Sequence, residues 1–421
     1  MRAIHFLFIS VIVSAAPTFH QDVEPILQQH CQECHRPGEI APMALLTYEQ
    51  ARPWAKAIKT QVLERKMPPW PADPQYGKFS NDRSLTKEQI DTLVAWAESG
   101  AAEGNKADAP RPRHWTDGWN IQKPDLVLEM PGEFEVPQSG EVEYQYIVVP
   151  TGFTEDQWVS AVEIRPSNRA VVHHAVIFIR EPGNKWLASA KPGVPFVPAV
   201  SNAGERFFNT QGQGNDVLSI YTPGMTPEVW QPGQAKQIKA GSDLIFQMHY
   251  TANGIGGKDR TRIGLVLAKE PPKERIITVG AINNTFKIPA GEADFKASAV
   301  FPVINQMTMI SLFPHMHLRG KAFQYELIRP NGESQTLLKV DNWSLSWQLS
   351  YKLERPLELQ PGMKVKATAW WDNSPNNPAN PDPSKEVVWG EQSWEEMMIG
   401  FFDVAVDPKI TNRTIYSKKA E

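Results

Sequence analysis

The sequence predicts a multidomain protein in which a small all-α domain is followed by two all-β sandwich domains. Three observations carry that expectation. At 421 residues the chain is too long for one hydrophobic core. Helix signals fall within residues 17–100: an amphipathic run into Cys31 and a capping box at Thr86. From residue 114 onward, short β-branched and aromatic runs alternate with turns rich in Pro, Gly and Asn. The 36 prolines and 14 tryptophans suit strands joined by rigid loops better than helix bundles. A hydrophobic fraction of 41% with 21% charged residues is that of a soluble globular protein. A net charge of -4 gives no reason to expect nucleic acid or an anionic membrane as a partner.

Residues 1–16 read as a secretory signal peptide: Arg2, an apolar run from Ile4 to Val13, then small residues at Ser14–Ala16. The run is short for a transmembrane helix, and no other stretch has the length to span a bilayer. Export to a bacterial periplasm or beyond, with no stable membrane span, is therefore expected.

Exported proteins usually spend cysteines on disulfides. This one has two, Cys31 and Cys34, both in CQECH. CxxCH is the attachment signature of a c-type haem: two thioethers to the haem, with the adjacent His35 as proximal iron ligand. A redox CxxC pair needs no following histidine, and a zinc site would need two more ligands nearby. The helix FHQDVEPILQQH runs into the motif. A second helix opens at TKEQ, where Thr86 and Gln89 form the capping box and Ile90, Leu93, Val94 and Ala97 line one face before Gly100. Helices on both sides of a haem are the plan of a small cytochrome c-like domain, placed at 17–100. Its sixth iron ligand should be a thioether from a loop. Met67 in RKMPPW suits this better than Met43 in EIAPMAL, which follows His35 too closely to reach the opposite haem face easily. Residues 101–113, small, polar and proline-containing, read as a linker.

The β region divides into 114–270 and 271–421, with KEPPKER at 269–275 as the boundary. The Gly- and Pro-rich excursion over 181–240 is expected to pack across a sheet face. Five of the ten histidines fall in strand-like segments: His173 and His174 in VVHHAVIF, His249 in IFQMHYT, and His315 and His317 in FPHMHLRG. Each alone is most simply a hydrogen-bonded structural residue, but five together point to metal. Residues two apart on a strand share a face, so His315 and His317 can converge on one ion. Adjacent His173 and His174 can do so only at a strand end or bulge, or through different ring nitrogens. In LIFQMHYT, Ile245, Gln247 and His249 share a face, which makes His249 a third ligand for that pair. A thioether completing the other pair would favour copper, and Met397, Met398, Met316 and Met307 are the candidates.

The order HHAV, QMHYT, HMHLRG, EEMM resembles the copper type II, ascorbate-dependent monooxygenases, the family of peptidylglycine α-hydroxylating and dopamine β-monooxygenases, over most of residues 120–415. The CxxCH module in front resembles bacterial proteins that join such a cytochrome to this core. The resemblance implies two jelly-roll-like domains facing each other across a solvent cleft, each holding one copper. It implies that His173, His174 and His249 hold an electron-relay copper. His315, His317 and Met397 match the catalytic set, which activates dioxygen and attacks a substrate C–H bond. Met397 takes priority over Met398 because EEM sits where the family carries an acidic pair before its methionine, and Met316 should point into the core. The chain departs from the family in having no spare cysteine for disulfides. It also has LFP before the HxH pair, where peptide-amidating members carry an arginine; Arg319 follows the pair instead. The expected function is an exported haem–copper monooxygenase that hydroxylates a small organic substrate with O2. Electrons would enter from a redox partner through the haem, with ascorbate replaced or supplemented. The alternative is a non-catalytic periplasmic electron-transfer or copper-binding protein on the same fold.

Overall fold

The computed structural model describes residues 16–115, 118–198 and 215–417, so the expected signal peptide lies, but for Ala16, outside the described residues. Two compact units are present: Met1–Trp70 with Arg83–His114, and Pro71–Asp82 with Trp115–Glu421. Most of the regular structure is β-sheet, with a few helices near the front of the chain. No helix among the described residues is long and apolar enough to cross a membrane.

In the first unit the chain opens with one π-helical turn, Phe19–Val23, that runs straight into the α-helix Glu24–His30. Short helices follow at Tyr48–Ala51 and Ala55–Leu63. The helix Lys87–Glu98 starts where the sequence predicts. The Thr86 hydroxyl accepts from the Gln89 N–H and the Gln89 side chain accepts from the Thr86 N–H, satisfying two otherwise orphaned donors. Its inner face buries Ile90, Leu93 and Trp96 against Phe19, Leu27, Ile58 and Val62, with Val94 and Ala97 at the margin. Residues 101–113 are not a free linker. The N–H groups of Phe19 and His20 donate to the carbonyls of Ala102 and Glu103, at 2.9 and 3.1 Å. Tyr48 and Trp96 donate to the carbonyls of Ala101 and Ala102, and Arg113 donates to the Gln28 carbonyl at 2.7 Å. Composition suggested a flexible tether, but the backbone there supplies acceptors that the helices need.

Residues 71–82 also depart from expectation, because they belong to the β unit. The Asp73 N–H donates to the Lys339 carbonyl and the Ser80 N–H to the Lys352 carbonyl, both at 2.8 Å. Asn81 bonds both the Ser350 carbonyl and the Lys352 N–H, and Phe79 stacks edge-on against Tyr351.

The β unit is built as two sandwiches that share one sheet. The long sheet runs in the order Leu126–Glu129, Arg262–Leu267, Gln157–Arg165, Gln234–Ile238, Glu274–Ile282, Ile399–Val406, Met307–His315, Tyr351–Leu359. A four-stranded sheet, Gln145–Pro150, Asp243–Tyr250, Val172–Arg180, Asn215–Tyr221, packs on its first half. The second half is covered by Phe295–Pro302, Lys364–Trp371, Gly320–Ile328 and Ser334–Val340, with Phe301 against Phe402 and the Tyr325 hydroxyl on the Phe401 carbonyl. The boundary expected at 269–275 is not a break. Glu274 and Arg275 pair in parallel with Gln234 and Ala235, so hydrogen bonding continues across it. Nor does 181–240 simply lie over a sheet face: its described part contributes strands to both sheets.

The strand Asp243–Tyr250 explains where the site forms. Leu244, Phe246, Met248 and Tyr250 enter the sandwich core. The alternate residues Ile245, Gln247 and His249 are buried too, on the other face. This sheet therefore has two covered faces, and its outer one looks toward the C-terminal half of the unit.

Candidate metal centre

Val172 and Ala175 both enter the core although they are three residues apart. A β-bulge allows this: Val172 faces Tyr250 and His174 faces His249, so His173 and His174 together occupy the space of one residue. The bulge turns both adjacent histidines to the outer face, one of the routes the sequence left open. Their rings converge with that of His249. The Nδ1 of His174 lies 3.2 Å from Nδ1 of His173 and 3.3 Å from Nδ1 of His249. One ligand atom from each of the three falls within 4.8 Å of the others. Burial lowers the pKa of all three, to about 4 for His173 and well below normal for His174 and His249, which also repel one another as cations. Three neutral imidazoles, two buried and one half-buried, with their nitrogens turned inward form a donor set for a soft or borderline cation. The set fits a metal ion.

His315 ends the strand Met307–His315, and His317 lies just beyond it. Here the Nδ1 atoms are taken. His315 Nδ1–H donates to Gln348 Oε1 at 2.6 Å, and His317 Nδ1–H to the Glu395 carbonyl at 3.3 Å. Both partners fix the tautomer that leaves Nε2 as the ligand atom. His317 Nε2 is fully buried and has no hydrogen-bond partner. An orphaned buried imidazole nitrogen costs about 1–3 kcal/mol unless something binds it, so this pair also fits a metal. Burial holds His315 near a pKa of about 4 and His317 well below normal.

Met397 lines one cavity with His315, His174, Gln247, Phe313 and Phe401. The described residues lining it include neither Met398 nor Met316. Met316 is fully buried, beside the spot a Gly320 Cβ would occupy. Gly320 has no room for a side chain, since a Cβ would lie 2.6 Å from the Trp343 ring and 2.9 Å from the Met316 Cβ. Gly320→Ala is thus expected to destabilise the protein by about 1–3 kcal/mol and to weaken any metal binding at His315 and His317. Thermal unfolding with and without an added divalent metal checks this, and an unchanged metal affinity would show that the turn tolerates repacking.

The turn after His315 is held by Glu396. Its Oε2 accepts from the His317 N–H at 2.8 Å and from Trp371 Nε1 at 3.0 Å, and its Oε1 accepts from the Arg319 N–H at 2.6 Å. Burial pushes the carboxyl up to about 7 against those donors. Arg319 is itself buried, donating to Asn373 Oδ1 at 2.9 Å and to the Trp394 carbonyl at 2.8 Å. It braces the loop and does not present its guanidinium to the cavity. Gln348 carries no sequence signal, and Glu396 is marked only by the acidic pair before Met397; strand periodicity cannot mark partners that come from distant loops.

The two histidine sets do not face each other across an open cleft, as the resemblance implied. The His174 and His315 ring centroids are 6.4 Å apart. Tyr144, 3% exposed, lies against both sets: its ring is 4.5 Å from His249, 5.4 Å from His174 and 6.4 Å from His317. The outer face of one sheet and the His315 strand meet directly, which closes the gap.

In the helical unit, the Cys34 and His35 N–H groups donate to the Cys31 carbonyl at 3.1 and 2.9 Å, continuing the turn after Glu24–His30. The cysteines are not bonded to each other. Burial, and then Cys34, push the Cys31 thiol up to about 12, unlike the depressed pKa of a redox-active CxxC. His35 Nδ1–H donates to the Met43 carbonyl at 3.2 Å, leaving Nε2 as its ligand atom, and burial keeps the ring neutral. These residues fit a covalently attached haem. The Met43 backbone is therefore on the Nδ1 side of His35, away from the ligand nitrogen. Met67, half-buried, sits in the turn after Ala55–Leu63.

No family model matches the chain, and no curated protein matches it. Among solved structures it is similar to the VP2 subviral particle of infectious bursal disease virus, at 10% identity over 72% of this chain and 76% of that one, with a TM-score of 0.19. The Gx strain of that virus gives 8% identity over 71% and 76%, with a TM-score of 0.19. Likenesses this distant say nothing of function.

Proposed function

We propose that the chain is an exported haem–copper monooxygenase, with each half of the β unit a jelly-roll-like sandwich. One observation carries the reading: three converging Nδ1 atoms lie beside a second imidazole pair whose Nε2 atoms are left for a ligand, in a cavity that Met397 also lines. Copper held there would supply dioxygen activation and one-electron storage. His173, His174 and His249 are read as the relay ligands; His315, His317 and Met397 as the catalytic set. The chain's own part is to keep the five imidazoles neutral by burial and to fix the tautomers of His315 and His317 through Gln348 and the Glu395 carbonyl. Phe313, Phe401 and Ile220 wall the cavity against water and offer an apolar surface to a substrate C–H bond.

No Lys, Arg, Asp or Glu is among the described residues lining that cavity, and Arg319 is committed elsewhere. The substrate is therefore read as a small, mainly apolar organic molecule, not one held by a carboxylate. Cys31 and Cys34 would attach haem c, with His35 and Met67 as axial ligands, and a redox partner or ascorbate would supply electrons from outside. Metal analysis and the visible spectrum test the reading together. Two coppers and one six-coordinate haem per chain are expected, with oxygen uptake matched by hydroxylated product. Zinc or no metal in the β unit, or copper without oxygen-dependent product, would overturn it.

A further inference from the structure

Tyr144 is a large side chain packed against both histidine sets that the reading above leaves unused. It precedes the strand Gln145–Pro150, and its N–H donates to Gln392 Oε1 at 3.2 Å, in the loop that leads to Glu395, Glu396 and Met397. Its hydroxyl is buried with no hydrogen-bond partner. The ring fills space between the sets without bonding to either, so its contribution is to occupy volume that water would otherwise take.

The separation of the two metal positions has an upper bound. A metal lies about 2 Å from an imidazole nitrogen, and that nitrogen about 1 Å from its ring centre. With the His174 and His315 centroids 6.4 Å apart, two ions on those rings are at most about 13 Å apart, even with each at the far end of its ring. Like charges at that distance interact weakly through water. Through a dry interior of effective dielectric near 20, two unit charges that close disfavour joint occupancy by about tenfold or more.

We propose that the five histidines form one electrostatically coupled centre. A copper ion held by His173, His174 and His249 weakens copper binding by His315, His317 and Met397 by about tenfold or more, and Tyr144 is the dry spacer that sustains this coupling. The inference rests on the copper reading of these sets. Coupling is reciprocal, so the second set weakens the first by the same factor. It also implies that losing one positive charge at either set raises the other's affinity.

The test is a titration of the haem-loaded full chain with copper(I) against a competing chelator. In the wild type, the second ion should bind about tenfold or more weaker than it binds to the second set of His249→Gln, whose first set is broken. The converse comparison uses His317→Gln. Tyr144→Phe should retain the coupling, whereas Tyr144→Ala, which admits water, should bring the two steps to within about threefold of independent binding. As a check needing no variant, the fully copper(II)-loaded wild type should show an electron paramagnetic resonance spectrum broadened relative to the half-loaded protein. Two ions that bind independently, with two unbroadened signals, would overturn this inference and leave the monooxygenase reading standing. Coupling that survives Tyr144→Ala would overturn the spacer role. Failure to take up copper at either set would overturn both readings.

Discussion

Acidifying the metal-free protein from pH 7 to pH 4.5 is expected to destabilise it strongly. All five of these histidines have pKa values lowered chiefly by desolvation, His173 and His315 to about 4. Unfolded, they titrate near 6.5. Between those values the unfolded chain takes up protons that the folded state refuses, so stability is lost as pH falls through that window. Two carboxyls act in the opposite sense: burial pushes Glu396 up to about 7 and Asp216 up to about 6. They favour the folded state as pH falls. Five groups against two leave about three net protons, a loss of up to about 4 kcal/mol per pH unit near the middle of the window. Denaturant midpoints at pH 7, 5.5 and 4.5 measure this. Copper should flatten the dependence, because ligated imidazoles are shielded from protons. A midpoint that stays constant from pH 7 to 4.5 would mean that the histidines are wet, and the closed centre would have to be abandoned.

Glu396→Ala is expected to cost about 3–5 kcal/mol and to abolish copper binding at His315 and His317 while leaving it at His173, His174 and His249. The carboxylate accepts from two backbone N–H groups and one indole, all buried. Truncation leaves those donors without partners in a turn whose geometry sets the His317 ring. Glu396→Gln keeps the volume but replaces one acceptor oxygen with an NH2 group facing N–H donors, so it should lose much of the same stability. Copper stoichiometry by chelator titration should fall from two to one per chain, alongside a lowered thermal midpoint. Retention of both coppers with only a lower midpoint would reduce Glu396 to a packing role.

Much of the candidate site is legible in the sequence because it is encoded over short range. CxxCH, the Thr86–Gln89 box, the HxH spacing and the shared face of Gln247 and His249 are each visible within a few residues. The His173–His174 pair could be narrowed to a bulge, a strand end or different nitrogens, and the bulge is what forms. Long-range features were not legible. Tyr144 lies in EYQYIVVP and reads as an ordinary strand aromatic; its contacts with His249, His174 and His317 reach 30 to 173 positions along the chain. Gln348 and Glu396 act through long-range hydrogen bonds that no periodicity records. The shared long sheet hangs on two parallel residue pairs, too few to outweigh the turn-like composition of 269–275. The polar stretch 101–113 looks like a tether because composition reports solubility, and not which carbonyls a neighbouring helix will use.

The path of the chain also bears on how the molecule can be taken apart. The polypeptide leaves the helical unit after Trp70, re-enters it at Arg83 and leaves again after His114. A module hung on one linker can be released by a single proteolytic cut, or gained and lost as a cassette. Here a nick near residue 116 would leave the two fragments held together without a covalent bond, because residues 71–82 stay hydrogen-bonded to Lys339, Ser350 and Lys352. Deleting everything before residue 115 would strip the β unit of those partners and uncover the ring of Tyr351. The helical and β units are thus one interlaced folding problem, and shortened versions meant to isolate the β unit should begin before residue 71 or replace the strap.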